Sequence, residues 1–271
     1  VLDCANGAAY KVAPMVFKEL GAKVITFNDQ PDGTNINLEC GALHPDVIST
    51  ETLKNKADVG ISLDGDADRV IMCDEAGEEI DGDCIMVMCG LDMLHDGTLA
   101  KNTVVATVMS NFGLVQALSK EGGKVVRTKV GDRYVAEELV KNQYNLGGEQ
   151  SGHIIFPEYN TTGDGLITAL QVLALCRKKE KSLRELKQCY TSFPQTLINI
   201  PVKERLPLER IDAVRHAIST AENHLKGEGR VLVRYSGTEL LARVMVEGKE
   251  EAIISQLGQE IAHQIKLAIG V

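Results

Sequence analysis

Residues 59–74 read Val-Gly-Ile-Ser-Leu-Asp-Gly-Asp-Ala-Asp-Arg-Val-Ile-Met-Cys-Asp: two apolar runs around a six-residue acidic loop. Short apolar runs bounded by turn residues predict buried strands, here Val59–Leu63 and Val70–Asp74. Glu79–Ile80 extends the second run across the turn Glu75-Ala76-Gly77-Glu78 as a hairpin-like pair. Upstream, residues 1–4 read as a strand, 10–20 as a helix stopped by Gly21, and 23–27 as a second strand. A polar loop occupies 28–37, and 46–56 reads as a helix. The resulting β-α-β-α-β rhythm predicts a mostly parallel sheet covered by helices.

Downstream the rhythm repeats. Residues 83–94, 113–121, 133–142, 164–178 and 182–188 read as helices. Residues 103–108, 124–129, 145–149 and 154–156 read as strands. Residues 194–207, bounded by two prolines, read as a linker with an edge strand at 197–200. The last part changes character: helix 208–225, strands 230–235 and 241–247, and helix 250–269. The fold class expected is therefore α/β, two consecutive mixed α/β sheet domains followed by a smaller α+β C-terminal domain. The predicted domains are 1–78, 79–195 and 196–271. The first residues, Val1-Leu2-Asp3, form a strand already under way, which predicts a piece of something longer.

Composition narrows the function classes. The 271 residues carry 29 basic and 38 acidic side chains, a net charge of −9, which disfavours a nucleic-acid-binding surface. Aromatic residues are 4% and Trp is absent, so base-stacking platforms are not expected. No apolar run reaches the roughly 18 residues of a membrane span, so no membrane partner is expected. The seven cysteines include no C-x-x-C pair, and most sit in apolar surroundings. They read as reduced core thiols of a cytoplasmic protein.

Three loops carry candidate chemistry. In Asp64-Gly65-Asp66-Ala67-Asp68-Arg69, three carboxylates at alternate positions can converge on one hard cation such as Mg²⁺. Arg69 adds a fork of donors for a phosphate. A calcium loop between helices is the competing reading, since Glu75 falls at its twelfth position. Against it stand Arg69 in place of the required glycine and the strand-like flanks. A solvated acidic turn is the third reading, although three like charges repel without a counterion. The second loop is Gly147-Gly148-Glu149-Gln150-Ser151-Gly152-His153. Glu149, Ser151 and His153 supply groups suited to sugar hydroxyls, or the loop is a polar hairpin with a surface His. The third is Arg234-Tyr235-Ser236-Gly237-Thr238-Glu239. Ser236, Gly237 and Thr238 can form an anion nest with Arg234 and Arg243, or a plain hairpin turn. Asp132 in Val130-Gly131-Asp132-Arg133 reads as a helix cap, and Gly163-Asp164-Gly165 as the start of the long helix.

Together, and in this order, the three loops resemble those of the α-D-phosphohexomutase superfamily across essentially the whole chain. Gln150, the stretch 130–135 (VGDRYV) and the stretch 161–166 (TTGDGL) resemble its phosphoglucosamine mutase branch. That resemblance implies interconversion of glucosamine 6-phosphate and glucosamine 1-phosphate, which feeds UDP-N-acetylglucosamine synthesis. It implies a phosphoserine and a glucosamine 1,6-bisphosphate intermediate. Asp64, Asp66 and Asp68 would hold Mg²⁺. Glu149 and Ser151 would grip the sugar, and Arg234, Ser236, Gly237, Thr238 and Arg243 the phosphate not being transferred. Arg69 and His153 would lie near the transferred phosphoryl group. The serine motif of the family, of the type T-A-S-H-N, does not occur here, so the serine-bearing N-terminal domain is an expected partner. The chain alone is expected to turn over no substrate; Arg69 and His153 are the expected catalytic residues, and the general acid/base stays unassigned, with His153 a candidate by residue type only. A homodimer is the assembly the resemblance allows. The alternatives are a phosphoglucomutase or phosphomannomutase, and a non-catalytic sugar-phosphate binding protein.

Overall fold

A computed structural model describes all of residues 1–271. The chain forms two compact units, residues 1–110 with 114–191 and residues 192–271 with 111–113. Unit 1 contains two mixed sheets, and unit 2 a smaller antiparallel one. The α/β class with a smaller α+β C-terminal part is what the sequence predicts.

The first sheet is built from β1 (Leu2–Asp3), α1 (Val12–Glu19), β2 (Thr26–Phe27), α2 (Pro45–Asn55), β3 (Val59–Leu63), β4 (Val70–Asp74) and β5 (Glu79–Ile80). Its strand order is β2-β1-β3-β4-β5. β1 runs parallel to β2 and β3, while β3–β4 and β4–β5 are antiparallel. The pairing of Leu63 with Val70 makes residues 64–69 the connection between two adjacent strands. β4 is buried throughout, which is why its sequence is apolar without alternation.

The second sheet follows α3 (Gly82–His95) and contains β6 (Thr103–Thr107), α4 (Phe112–Lys120), β7 (Lys124–Thr128), α5 (Asp132–Asn142), β8 (Gly147–Gly148) and β9 (Ile154–Ile155). Its order is β7-β6-β8-β9, with only β8–β9 antiparallel. The helices α6 (Gly165–Lys179) and α7 (Leu183–Leu186) complete unit 1. One continuous apolar core joins both sheets, from Leu63 and Met72 through Ile85 and Met86 to Val104, Leu146 and Val172. α3 is buried along its first nine residues, so it carries no polar face there. Asp81 starts it, its Oδ1 accepting from Cys84 N–H at 2.9 Å.

Unit 2 contains β10 (Gln195–Pro201), α8 (Asp212–Leu225), β11 (Gly229–Tyr235), β12 (Leu241–Gly248) and α9 (Glu251–Ile269). The order β10-β12-β11 puts β12 in the middle. Its core is separate and includes Val214, Val244, Val246, Ile254, Ile261 and Ile265.

Several local expectations shift. The strand read at 23–27 shrinks to the edge pair Thr26–Phe27. The linker read at 194–207 is largely strand, since all of Gln195–Pro201 pairs with β12. Asp132 does not cap α5: Gly131 stands at the cap position with φ +127°, and Asp132 is the first helical residue. Asp164 does start α6, its carboxylate accepting from Ile167 N–H at 2.9 Å. The cysteines form no disulfide; Cys176 is half-buried and Cys189 exposed rather than core. Burial, with the Asp3 carboxylate adding to it, pushes the Cys4 thiol up to about 12, which makes it unreactive. No helix is long and apolar enough to cross a membrane.

Candidate active site

The acidic loop of unit 1 is held in place by backbone contacts. Ala67 takes a left-handed conformation (φ +63°), and its N–H closes the turn on Asp64 O at 3.1 Å. The turn after β1 backs it, with Ala8 N–H donating to Gly65 O at 2.8 Å. A Cβ on Gly7 would stand 2.3 Å from that same oxygen, so the approach requires glycine. The flanks are strands, not helices, which removes the helix–loop–helix calcium reading.

Asp64, Asp66 and Asp68 offer oxygens that all lie within 4.8 Å of one another. Asp64 is buried, Asp68 half-buried and Asp66 exposed. Burial, reinforced by the charges of Asp68 and Asp66, pushes the Asp64 carboxyl up to about 6, against the pull of the Arg69 backbone N–H and guanidinium. A carboxyl so short of positive charge, among two more, suits a divalent cation. Arg69 N–H donates to Asp64 Oδ1 at 3.1 Å, and its Nε lies 3.8 Å from Asp68 Oδ1.

The Glu149–His153 loop joins β8 to β9 and packs on the same strands. Val70 N–H donates to Gly152 O at 3.1 Å. Gly152 has φ +91°, and a Cβ there would meet Val70 O at 2.1 Å. The structure therefore brings His153 to the acidic loop, with its Nδ1 3.2 Å from Asp68 Oδ2. His153 is buried, so the surface-histidine reading does not hold. Ser151 is exposed. Glu149 Oε1 accepts from Gly131 N–H at 3.0 Å, tying the start of α5 to this loop. Gln150 is turned toward α3, its Nε2 donating to Asp81 Oδ2 at 3.0 Å. Burial pushes the Asp81 carboxyl up, opposed by the Cys84 N–H and the Gln150 amide. Gln150 thus braces the loop in this structure. Its partner lies 69 residues away, and only the fold brings the pair together.

In unit 2 the residues Ser236-Gly237-Thr238-Glu239 connect β11 to β12. Ser236 N–H closes on Leu241 O at 2.8 Å, and Glu239 N–H donates to Ser236 Oγ at 3.3 Å. Arg234 and Arg243 are directly cross-strand partners. Two like charges opposed in a sheet destabilise it unless an anion or carboxylate compensates. Arg243 Nη2 lies 3.4 Å from both Ser236 Oγ and Glu239 Oε2. Arg205, which sequence reasoning missed, donates from Nη2 to Glu239 O at 2.9 Å. Gly237, Thr238 and Glu239 are exposed.

Three family models match the chain in order. Domain II of phosphoglucomutase/phosphomannomutase, described as alpha/beta/alpha, covers residues 1–77, and domain III, described likewise, covers 81–193. The C-terminal domain of the same family covers 197–264. The chain belongs to the phosphoglucomutase/phosphomannomutase family. Within reach of that family, relatives named phosphoglucosamine mutase are 55% identical in Geobacter sp. (strain M21) and 56% in Geotalea daltonii, each over 270 residues. The matches span all of this chain and 60% of those proteins' length. Among solved structures, a family protein from Burkholderia thailandensis is 21% identical with a TM-score of 0.80, covering all of this chain and 61% of that one. The Aspergillus fumigatus N-acetylphosphoglucosamine mutase, solved with GlcNAc-6P and magnesium, is 24% identical with a TM-score of 0.75, covering 97% and 65%. At these identities the structures share the fold.

Proposed function

We propose that this chain is the metal- and substrate-binding portion of a phosphoglucosamine mutase. The whole protein would interconvert glucosamine 6-phosphate and glucosamine 1-phosphate in the cytoplasm, supplying UDP-N-acetylglucosamine synthesis. The observation that carries the reading is the full-chain identity of about 55% to relatives of that name. The acidic loop and the cross-strand arginines support it chemically. Three domains, 1–78, 79–195 and 196–271, would each contribute one of the three loops, in keeping with the limits of the family models.

Asp64, Asp66 and Asp68 would hold Mg²⁺, and their crowded oxygens, short of positive countercharge, fit it. Bound there, Mg²⁺ would offset negative charge on a phosphoryl group in transfer. Arg69 adds fixed positive charge for the same oxygens, a contribution largest in a site sheltered from water. Glu149 accepts hydrogen bonds from sugar hydroxyls, and Ser151 both donates and accepts. Glu149 is already partly oriented by Gly131 N–H. Arg234 and Arg243, with the Ser236 and Thr238 hydroxyls and the Gly237 amide, take the phosphate that is not transferred. His153 belongs to the transferring end through its contact with Asp68. The nucleophilic serine, and the phosphoserine it forms, would come from the domain preceding Val1, with glucosamine 1,6-bisphosphate as the intermediate.

Phosphorus NMR of glucosamine 6-phosphate, with Mg²⁺ and a trace of glucosamine 1,6-bisphosphate, tests this. The chain alone should leave the signal unchanged, and a chain extended upstream to the relatives' full length should produce the 1-phosphate. Turnover by the chain alone would refute the serine assignment. An extended protein that converts glucose 6-phosphate as fast as the amino sugar would move it to the phosphoglucomutase branch.

A further inference from the structure

The Ser236–Glu239 turn of unit 2 has a support outside its own hairpin, in the connection between β10 and α8. Arg205 of that connection places Nη2 2.9 Å from Glu239 O and 3.5 Å from Gly237 O. Arg205 is exposed, yet the backbone on both sides of it is fixed. Before it, Val202 N–H donates to Leu240 O at 3.0 Å and Lys203 N–H to Ile269 O at 2.9 Å. After it, Tyr235 Oη donates to Leu206 O at 2.6 Å, and Leu208 is buried in the core of unit 2. The guanidinium therefore reaches the turn from a held base.

A trans peptide points its C=O and the N–H that follows in opposite directions. No peptide bond of the chain is cis. With Gly237 O and Glu239 O turned to the guanidinium, Thr238 N–H and Leu240 N–H point away from it. Neither of these, nor Gly237 N–H, meets an acceptor within the protein. The other two amides of the turn are taken, Ser236 N–H by Leu241 O and Glu239 N–H by Ser236 Oγ. One cation thus holds two carbonyls on its side of the turn and leaves backbone donors presented on the other. Neighbouring N–H groups presented together suit an anion.

We infer that Arg205 is a positioning residue for the turn. It fixes the Gly237 and Glu239 carbonyls so that the Thr238 and Leu240 amides are set for a phosphate, and it acts through the backbone rather than by touching the phosphate. Donors ordered beforehand bind more tightly than donors that must be ordered on binding. The inference rests on reading this turn as the grip on the phosphate that is not transferred.

Nitrogen-15 NMR of the whole chain, titrated with glucosamine 1-phosphate, tests it, with urea unfolding as the check on stability. In wild type the Thr238 and Leu240 amide signals should move on binding. Arg205→Met keeps an apolar stem and loses every donor. It should shift those two signals in the ligand-free chain, leave the urea midpoint of unit 2 unchanged, and weaken binding about fivefold. Arg205→Lys, whose ammonium can donate to both carbonyls, should come back to within about twofold of wild type. The ratio of wild-type to Arg205→Met affinity should hold in about 0.5 M salt, where exposed charges are screened. Wild-type affinity in Arg205→Met would overturn the inference alone, as would a Lys variant no better than Met. A loss that salt abolishes would make Arg205 a plain attracting charge, and a Met variant that unfolds unit 2 would make it a structural residue; either overturns the inference. Turn amides that ignore the ligand in wild type would overturn the phosphate reading of the turn, and this inference with it.

Discussion

The acidic loop of unit 1 and the Ser236–Glu239 turn of unit 2 connect antiparallel strands alike, yet they are built in opposite ways. The first is wedged into backbone on several sides. Cβ atoms on Gly7, Gly152 and Gly165 would all collide with main-chain oxygens. The second is open, and a Cβ on Gly237 would meet nothing within 4 Å. The first concentrates carboxylates and the second opposes two arginines. On the proposed reading, the difference teaches that carboxylates meant for a hard cation need a rigid frame against their mutual repulsion, whereas arginines meant for a phosphate can gather around it with long side chains.

Substitution of the glycines separates the two designs most sharply. Gly152→Ala puts a Cβ 2.1 Å from Val70 O at φ +91°, so it should cost about 3 kcal/mol or more in urea unfolding of unit 1. Gly237→Ala should stay within about 0.5 kcal/mol of wild type. A comparable loss at both positions would erase the contrast.

The frame that carries the acidic loop offers the next effect. Asp74 ends β4, is fully buried, and pairs with Lys187 at 2.7 Å; Lys187 also pairs with Glu78. Burial pushes the Asp74 carboxyl up, but the Lys187 ammonium and the Glu78 and Ala76 N–H groups outweigh it, so the group lies below the ordinary carboxylate value of 3.8. A carboxyl depressed in the folded state contributes stability above its unfolded pKa, and that contribution fades as pH falls through the folded value. Stability of unit 1 should therefore drop below about pH 4. Asp74→Asn should flatten that acid limb and cost about 3 kcal/mol at pH 7, read from thermal or urea unfolding across pH. An unchanged acid limb would remove Asp74 from the account.

In unit 2, Arg243→Ala should leave the stability of the ligand-free chain within about 0.5 kcal/mol, since it relieves the opposition to Arg234. It should weaken glucosamine 1-phosphate binding about tenfold, roughly 1.4 kcal/mol by calorimetry. A large loss of stability with unchanged binding would make Arg243 a structural residue.

Much of this was legible beforehand, for identifiable reasons. Val59–Leu63, Val70–Asp74 and Glu79–Ile80 fall where the apolar runs and the turn residues between them place them. Buried strands show in the residues themselves, because their faces admit nothing polar. The alternate carboxylates at 64, 66 and 68 also announce their convergence, since a tight loop leaves them nowhere else to go. Other features depend on partners far along the chain. The Gln150 bond to Asp81, the Glu149 bond to Gly131 N–H and the Arg205 bond to Glu239 O leave no mark in local spacing. Asp132 illustrates the same limit. It has the chemistry of a cap, but Gly131 holds the cap position and offers its N–H to Glu149. The Gly163 turn was visible as a motif, and only its contact with the His153 ring shows why its first residue has no side chain.

The most direct test of the central claim is calorimetric titration of this chain, in Mg²⁺, with glucosamine 1-phosphate and then glucose 1-phosphate. The account predicts binding of both sugars that favours the amino sugar. It also predicts that Arg243→Ala weakens both, and that removing Mg²⁺ weakens neither by as much. Equal affinity for the two sugars would contradict the amino-sugar assignment. Binding of neither would contradict the claim that these loops hold the substrate.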